Sequence, residues 1–141
     1  MFNVMQVAIH IANSEPTYKS CYDLMDAEGV DRNDVKLSLP TVMALDPDTM
    51  ELIGFLGTHY QDNLIIAGPM VLKEKNIMIL WRLCEAYESA MRALGITQYI
   101  MSVEDGNIMD LAIKRYDPPG MEKYAREGNR DFYVRRLNHG H

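Results

Sequence analysis

Residues 69–95 place the strongest constraint on what this chain can fold into. They read as a short apolar strand, a charged turn at residues 73–76 and a long helix that ends at Gly95. Apolar residues recur every three or four positions along the helix: Ile77, Leu80, Trp81, Cys84, Tyr87, Met91 and Leu94. The charged residues are expected to lie mostly on the opposite, solvent-facing side: Arg82, Glu85, Glu88 and Arg92. A strand that turns into a helix N-terminus is a common phosphate site, because the first helical N–H groups have no partner.

Length and composition limit the number of domains and the class of protein. The 141 residues predict a single domain over residues 1–141, and 48% apolar with 24% charged residues is ordinary for a globular protein. No apolar run is long enough to span a bilayer, and the first residues lack the basic start of a signal peptide. We therefore expect a cytoplasmic protein with reduced thiols. Cys21 and Cys84 lack metal-ligand spacing and are interpreted as buried apolar-type residues, in preference to a disulfide or a nucleophile.

Charge argues against one class of partner. The net charge of −6 disfavours general nucleic-acid binding, although basic residues gather near the C-terminus and could form a local patch. No metal site is predicted, since the histidines and cysteines show no ligand spacing. The eleven methionines suit either core filling or an adaptable contact surface.

The first half of the chain predicts a strand, a helix and a three-stranded meander. Residues 1–12 have the composition of a strand, and Ser14 followed by Pro16 indicates a helix start, with the helix ending at Gly29. Residues 31–34 are a loop or a short helix. Strands are expected at 41–45, 52–60 and 64–72, with turns between them. Gly68-Pro69 interrupts the third strand, and because proline cannot donate to a ladder, the strand must bulge or leave its neighbour there.

The second half continues the alternation after the long helix. Residues 98–103 form a strand, residues 104–107 turn into a helix over 108–116, and residues 121–126 and 131–137 form a hairpin. The order is β-α-(α)-β-β-β-α-β-α-β-β. It predicts an α/β fold with a mixed central sheet, made of an antiparallel meander plus a crossover strand and flanked by helices.

This order and these lengths resemble the GNAT superfamily of N-acetyltransferases over nearly the whole chain. Ala112 and Tyr116 keep the spacing of the family's A-x-x-x-Y motif. The resemblance implies that the last meander strand and the strand after the long helix splay apart, and that the pantetheine arm of acetyl-CoA lies in the gap. Gly68-Pro69 sits where that departure is expected.

The sequence departs from the family in its pyrophosphate loop. Residues 75–80 stand where the family has Q/R-x-x-G-x-G/A, and Met78 and Leu80 occupy the two small positions. Side chains of that size are expected to fill the phosphate space. The charges of Lys73 and Lys75, together with the helix start at Asn76 and Ile77, are the remaining groups that could attract a pyrophosphate. The motif helix departs as well, because Met109 stands where the family often has asparagine.

Acetyl transfer needs a base, an oxyanion donor and an acid for the leaving thiolate. By resemblance, Tyr116 is the acid and the backbone N–H groups near Met70 and Val71 hold the oxyanion. The base comes from Glu104 or His59, directly or through water. Each side chain also has a structural interpretation: Tyr116 packs under the sheet, Glu104 is a turn carboxylate, and His59 faces solvent from a strand.

Two functions therefore compete. The first is a divergent N-acetyltransferase that uses acetyl-CoA and an amine acceptor of unknown identity. The second is an inactive GNAT-fold structural or interaction protein, since the chain also resembles short GNAT-like proteins of tailed phages, and its location would then be the virion. In that case the chain would bind another protein or a second copy of itself. An open cleft with free N–H groups at the helix start favours the enzyme, and a cleft filled by Met78, Leu80 or Trp81 favours the second function.

Overall fold

A computed structural model describes residues 7–32 and 35–137. Within these ranges the chain forms seven strands and three helices. In chain order they are β1 (Ala8–Ile11), α1 (Glu15–Ala27), β2 (Ser38–Leu45), β3 (Leu52–Gln61), β4 (Leu64–Leu72), α2 (Ile77–Ala93), β5 (Gln98–Glu104), α3 (Ile108–Tyr116), β6 (Met121–Glu127) and β7 (Arg130–Arg136). The predicted element order and the mixed α/β sheet are confirmed. None of the three helices combines the length and apolarity that a bilayer crossing requires.

The strands form one sheet in the order β1-β2-β3-β4-β5-β7-β6. All neighbours are antiparallel except β4 and β5, which are parallel because the α2 crossover separates them. Between β4 and β5 only Ile66 and Ile100 form a registered pair, whereas β5 and β7 pair along seven positions. The two strands therefore separate beyond Ile66, and the sheet opens at its centre.

The expected irregularity at Gly68-Pro69 is confirmed as a bulge in β4. Thr58 faces Ala67 and Leu56 faces Met70, so β4 holds one residue more than β3 between these pairs. Gly68 has φ of +140°, a conformation that favours glycine, and the Gly68-Pro69 peptide bond is cis. The bulge bends β4 at the point where it leaves β5.

Helices cover the sheet unequally on its two faces. On one face, α2 and α3 pack over most of the sheet and bury the larger apolar cluster, whose centre includes Leu80, Leu83 and Tyr87. We call this the α2 face. On the other, the α1 face, α1 buries a smaller cluster that includes Met25, Phe55 and Val71. The α2 face therefore holds the main core.

The structure corrects three details of the predicted α2 face. Ile79 and Leu83 are fully buried although the assigned stripe omitted them, while Leu94 is 55% exposed as the C-cap residue. The carboxylate of Glu88 does not face water. It accepts hydrogen bonds from Tyr99 and Arg135 and is 15% exposed. The sheet therefore contacts more positions around α2 than the single predicted stripe of apolar side chains contains.

Several boundaries also differ from the prediction. Of the first strand expected over residues 1–12, the described part is β1, and residues 1–6 lie outside the described residues. The same holds for positions 33–34 of the loop or short helix expected at residues 31–34. β2 begins at Ser38, earlier than expected, and passes through Pro40. A register shift between Ser38 and Val42 removes the need for a ladder N–H at the proline.

Candidate functional site

The gap between β4 and β5 is an open cleft of about 620 Å³. This volume is within the usual range for small-molecule sites. Residues from the α2 face line one part of it: Lys75, Cys84, Asn107 and Met109. Residues of the segment that follows α1 line another part: Gly29, Val30, Asp31 and Val35. Met78, Leu80 and Trp81 are not among the lining residues of the cleft.

Alternate backbone amides of β4 point away from β3 and toward the gap, and that of Met70 is one of them. Lys73 N–H donates to the carbonyl of Ile53 at 2.8 Å, so these two residues form a hydrogen-bonded pair. The next pair along the β3–β4 ladder is Gly54 with Leu72. Because hydrogen bonding alternates along an antiparallel ladder, the N–H of Val71 points toward β3 and the N–H of Met70 points away from it. On that side β5 no longer pairs with β4. Among the described residues no strand pairs with Met70 on that side, so its N–H is directed to the cleft, whereas the Val71 amide is directed into the sheet.

His59 lines the same cleft and is held in one tautomer. Its Nδ1 lies 2.9 Å from the carbonyl oxygen of Gly68, which can only accept a hydrogen bond. Nδ1 therefore carries the proton, and in the neutral ring Nε2 keeps a lone pair. The side chain is half-buried, so it is neither a core histidine nor fully in solvent. This arrangement can accept a proton at Nε2.

Glu104 lines the cleft at the end of β5 but is already engaged. Its carboxylate accepts a hydrogen bond from Asn129 at 3.0 Å and lies 4.0 Å from the guanidinium of Arg130. Arg130 also lines the cleft and donates to Ser102 Oγ at 3.1 Å. These contacts fit the turn-carboxylate interpretation of Glu104 and hold it beside a cation.

The start of α2 is capped by its own chain. Asn76 Oδ1 accepts hydrogen bonds from Met78 N–H at 2.8 Å and Ile79 N–H at 3.4 Å. Of the first three helical N–H groups, only that of Ile77 is left outside this cap. Lys75 lines the cleft, but Lys73 forms an ion pair with Glu51 at the surface. A phosphate at this helix start would meet Lys75 and would compete with the Asn76 carboxamide.

Tyr116 lies at the end of α3, away from the cleft lining. Its ring meets Trp81 edge-to-face with centroids 5.3 Å apart and has the Arg115 guanidinium 5.5 Å from its centroid. The side chain is 47% exposed. The pair joins α3 to α2, so Tyr116 packs against Trp81 and not under the sheet, which corrects its structural interpretation. The acid role that the resemblance implies for Tyr116 stays a prediction.

The two cysteines are free thiols, as expected. Burial raises the pKa of the Cys84 thiol to about 12, and the neighbouring Glu88 carboxylate raises it further while Arg135 opposes them. Burial likewise raises the pKa of Cys21 to about 12. Both sulfurs are protonated near neutral pH, so Cys84 contributes to the cleft wall as an apolar side chain and not as a nucleophile.

Three carboxylates approach one another outside the cleft. Asp105, Asp110 and Asp131 each place an oxygen within 4.8 Å of the others. Cations already pair with them: Arg126 binds Asp105 and Asp131, and Lys114 binds Asp110. The cluster's negative charge is thus largely compensated by the protein itself, which is the ordinary arrangement for a structural ion-pair network.

Several cleft residues were not identified from the sequence. Ile100, Ser102, Arg130 and Phe132 line the cleft from β5 and β7. Their strands were predicted, but which alternating set faces the cleft depends on register with β4. The cap was missed although its signal was present, because Asn before an apolar helical pattern is a strong N-cap residue. The Asn76 cap was overlooked because residues 75–80 were interpreted as a phosphate loop.

A scan against protein-family models finds no match to this sequence, and a search of curated proteins finds none either. Solved structures do match. A GNAT-family acetyltransferase from Staphylococcus aureus has a TM-score of 0.67 at 16% identity, covering 94% of this chain and 99% of its own. An aminoglycoside 6'-N-acetyltransferase in complex with coenzyme A gives 0.65 at 15% identity, covering 92% and 96%. The PaiA N-acetyltransferase of Thermoplasma acidophilum, also with coenzyme A, gives 0.57 at 19% identity, covering 89% and 80%. These likenesses show that the fold is that of the GNAT acetyltransferases.

Proposed function

We propose that this chain, which has the GNAT acetyltransferase fold, is an N-acyltransferase that moves an acetyl group from acetyl-CoA to a primary amine. The observation that carries the proposal is the open cleft at the splay of β4 and β5, with the Met70 N–H and the His59 imidazole both directed to it. Two of the similar structures hold coenzyme A. The solved relatives support this donor for the chain, and the cleft has room for its reactive end.

The cleft residues supply two of the three groups that acetyl transfer requires. Acetyl-CoA contributes a thioester whose carbonyl carbon is attacked by the neutral amine nitrogen. His59 Nε2 takes a proton from the amine, directly or through water, because Nδ1 is held as a donor by Gly68. Met70 N–H stabilises the negative charge that develops on the carbonyl oxygen. A new N–C bond forms, the C–S bond breaks, and the electron pair leaves with the sulfur, which then takes a proton.

Two of the candidate catalytic side chains fit less well. The cleft lining does not include Tyr116, so its role as the acid for the leaving sulfur rests on the resemblance alone. Glu104 borders the cleft, but its contacts with Asn129 and Arg130 make it a weaker base candidate than His59. We assign the proton transfer from the amine to His59.

Phosphate binding is proposed at the start of α2. Lys75 supplies the charge, and the N–H groups of Ile77, Met78 and Ile79 supply donors once the Asn76 carboxamide swings away. Lys73 has no part in this, because it is paired with Glu51. Because the Asn76 cap competes for these N–H groups, we expect a lower affinity for pyrophosphate than a glycine-rich loop would give.

The second function, an inactive structural protein of a phage virion, lacks the filled cleft that would favour it, although the N–H groups of Met78 and Ile79 at the start of α2 are capped and not free as expected of the enzyme. That function expected Met78, Leu80 or Trp81 to fill the cleft. Leu80 instead lies in the core under the sheet, Trp81 packs on Tyr116, and Met78 is 46% exposed at the surface. The solved structures described above are acetyltransferases, and none of them is a virion protein.

The test is calorimetric titration of the protein with acetyl-CoA and with CoA. We expect one-to-one binding that Lys75→Gln weakens by roughly tenfold, the effect of losing one charge-assisted hydrogen bond. Lys73→Gln is the matched control, because Lys73 is two residues away and does not line the cleft. No heat and no thermal stabilisation at millimolar ligand would refute the enzyme.

A further inference from the structure

Past His59, the α1 face of the sheet carries apolar side chains that none of the three described helices covers. Residues that face each other on neighbouring strands lie on the same face of a sheet. His59 pairs with Ile66, and Ile66 pairs with Ile100, which in turn pairs with Val134. One step along, Ser102 pairs with Phe132. These side chains therefore share the α1 face with His59. We call Ile66, Ile100, Phe132 and Val134 the acceptor floor.

The acceptor floor is left open by the helices. On the opposite face, the alternating residues Tyr99, Met101 and Val103 of β5 are buried in the main core. The four floor residues are only half-buried and belong to neither buried cluster, because α1 reaches across the β2–β4 part of the sheet and stops there. Three of them, Ile66, Ile100 and Phe132, line the cleft. An apolar surface thus extends directly from the proposed base.

The charges around this surface cancel. The charged lining residues are Asp31, Glu104, Lys75 and Arg130, two acids and two bases. Glu104 is engaged by Asn129 and Arg130, and Asp31 also has an interaction partner. A polyamine or an aminoglycoside carries several positive charges and needs a surplus of carboxylates, which the described cleft does not offer.

We propose that the acceptor is a small primary amine carried on an aromatic or branched aliphatic group. The proposal rests on the proposed function. The apolar group lies on the acceptor floor, which removes both surfaces from water and holds the amine near His59 Nε2. His59 takes one proton from the amine, the nitrogen bonds to the acetyl carbon, and the sulfur leaves. The open cleft of about 620 Å³ must also take the reactive end of acetyl-CoA, so the space that is left suits a small amine better than an extended peptide.

The test is a thiol-release assay with acetyl-CoA and a matched set of amines. We expect kcat/KM for 2-phenylethylamine and isoamylamine to exceed that for ethylamine by about tenfold or more, the discrimination that a few apolar groups give in a pocket. Spermidine and kanamycin should be poor acceptors. Phe132→Ala should reduce the preference for 2-phenylethylamine, whereas Phe132→Leu should keep most of it. Leu111→Ala, which changes an exposed residue on α3, is the control.

The outcomes separate this proposal from the function on which it rests. CoA binding in the calorimeter, with spermidine, kanamycin or only a peptide N-terminus as the best acceptor, would overturn the acceptor class and leave the acetyltransferase standing. Equal kcat/KM values for ethylamine and 2-phenylethylamine would also overturn the acceptor class and leave the acetyltransferase standing. Absence of CoA binding would overturn both. A folded Phe132→Ala protein with an unchanged amine ranking would remove the acceptor floor as the cause.

Discussion

At the scale of single residues, His59 is the group on which the chemistry depends most. We expect His59→Gln to lower kcat roughly a hundredfold or more, because glutamine cannot take up the amine proton. CoA affinity should stay unchanged, since the ring contacts Gly68 and not the α2 N-terminus. The measurement is steady-state kinetics beside calorimetry. His10→Gln, a change at an exposed histidine on β1, is the control, and full activity in His59→Gln would move the base to Glu104.

A second residue-scale prediction concerns the cap of α2. Replacing Asn76 by glycine should tighten CoA binding by roughly threefold to tenfold, because Met78 and Ile79 N–H groups lose an internal competitor worth about one hydrogen bond. The same change should lower the free energy of unfolding by only a few tenths of a kcal/mol, as for other caps changed to glycine. Calorimetry and urea unfolding measure the two effects.

The control for that change is Ser14→Gly, which alters the cap of α1 outside the cleft. It should have a similar effect on stability and none on CoA affinity. Weaker CoA binding in Asn76→Gly would show that the carboxamide itself contacts the ligand.

At the scale of elements, a largely buried ion pair joins α2 to the C-terminal strands, with both side chains 15% exposed. Glu88 accepts hydrogen bonds from Arg135 on β7 and Tyr99 on β5, at 2.6 to 2.9 Å. Burial acts to raise the pKa of Glu88, but the hydrogen bonds from Arg135 and Tyr99 outweigh it, so the pKa lies below its ordinary value of 4.5. The pair holds the crossover helix against the strand that forms one wall of the cleft.

Glu88→Gln should destabilise the protein by about 3 kcal/mol near neutral pH, because Arg135 would keep its charge in a largely buried place without a counter-ion. The folded-state pKa of Glu88 is depressed, so its stabilisation is present above pH 4.5 and is lost as the pH falls through the folded value. The wild-type free energy of unfolding should thus fall more steeply with acid than that of Glu88→Gln. Glu85→Gln, an exposed change on the same helix, should follow the wild type.

At the scale of the whole molecule, the opening of the sheet should be visible in hydrogen exchange. We expect the Met70 amide to exchange quickly in the free protein and slowly with CoA bound, because no strand pairs with it until the ligand fills the gap. The Val71 amide, directed to β3, should exchange slowly in both states. Residue-resolved exchange by NMR measures both. Slow exchange at Met70 without ligand would mean that β4 and β5 close in solution.

The sequence predicted the elements well because their signals are local. The strand β4 was found with its correct bounds, and the bulge followed from the missing N–H of Pro69. Residues 75–80 show the opposite case. The resemblance supplied a phosphate loop for them, whereas in the structure Asn76 caps the helix there, with Met78 exposed and Leu80 buried in the core.

Periodicity, caps and proline chemistry act over a few residues, so the order of strands and helices, the crossover and the break in the sheet could all be predicted from the amino-acid sequence. The lining of the cleft could not, because it depends on how distant segments pack. Strand register set which face of β5 and β7 meets His59, and a shift of one residue would exchange the two faces. The gap-facing amide of Met70, the tautomer of His59 and the open acceptor floor all depend on contacts between distant segments, which no local pattern specifies.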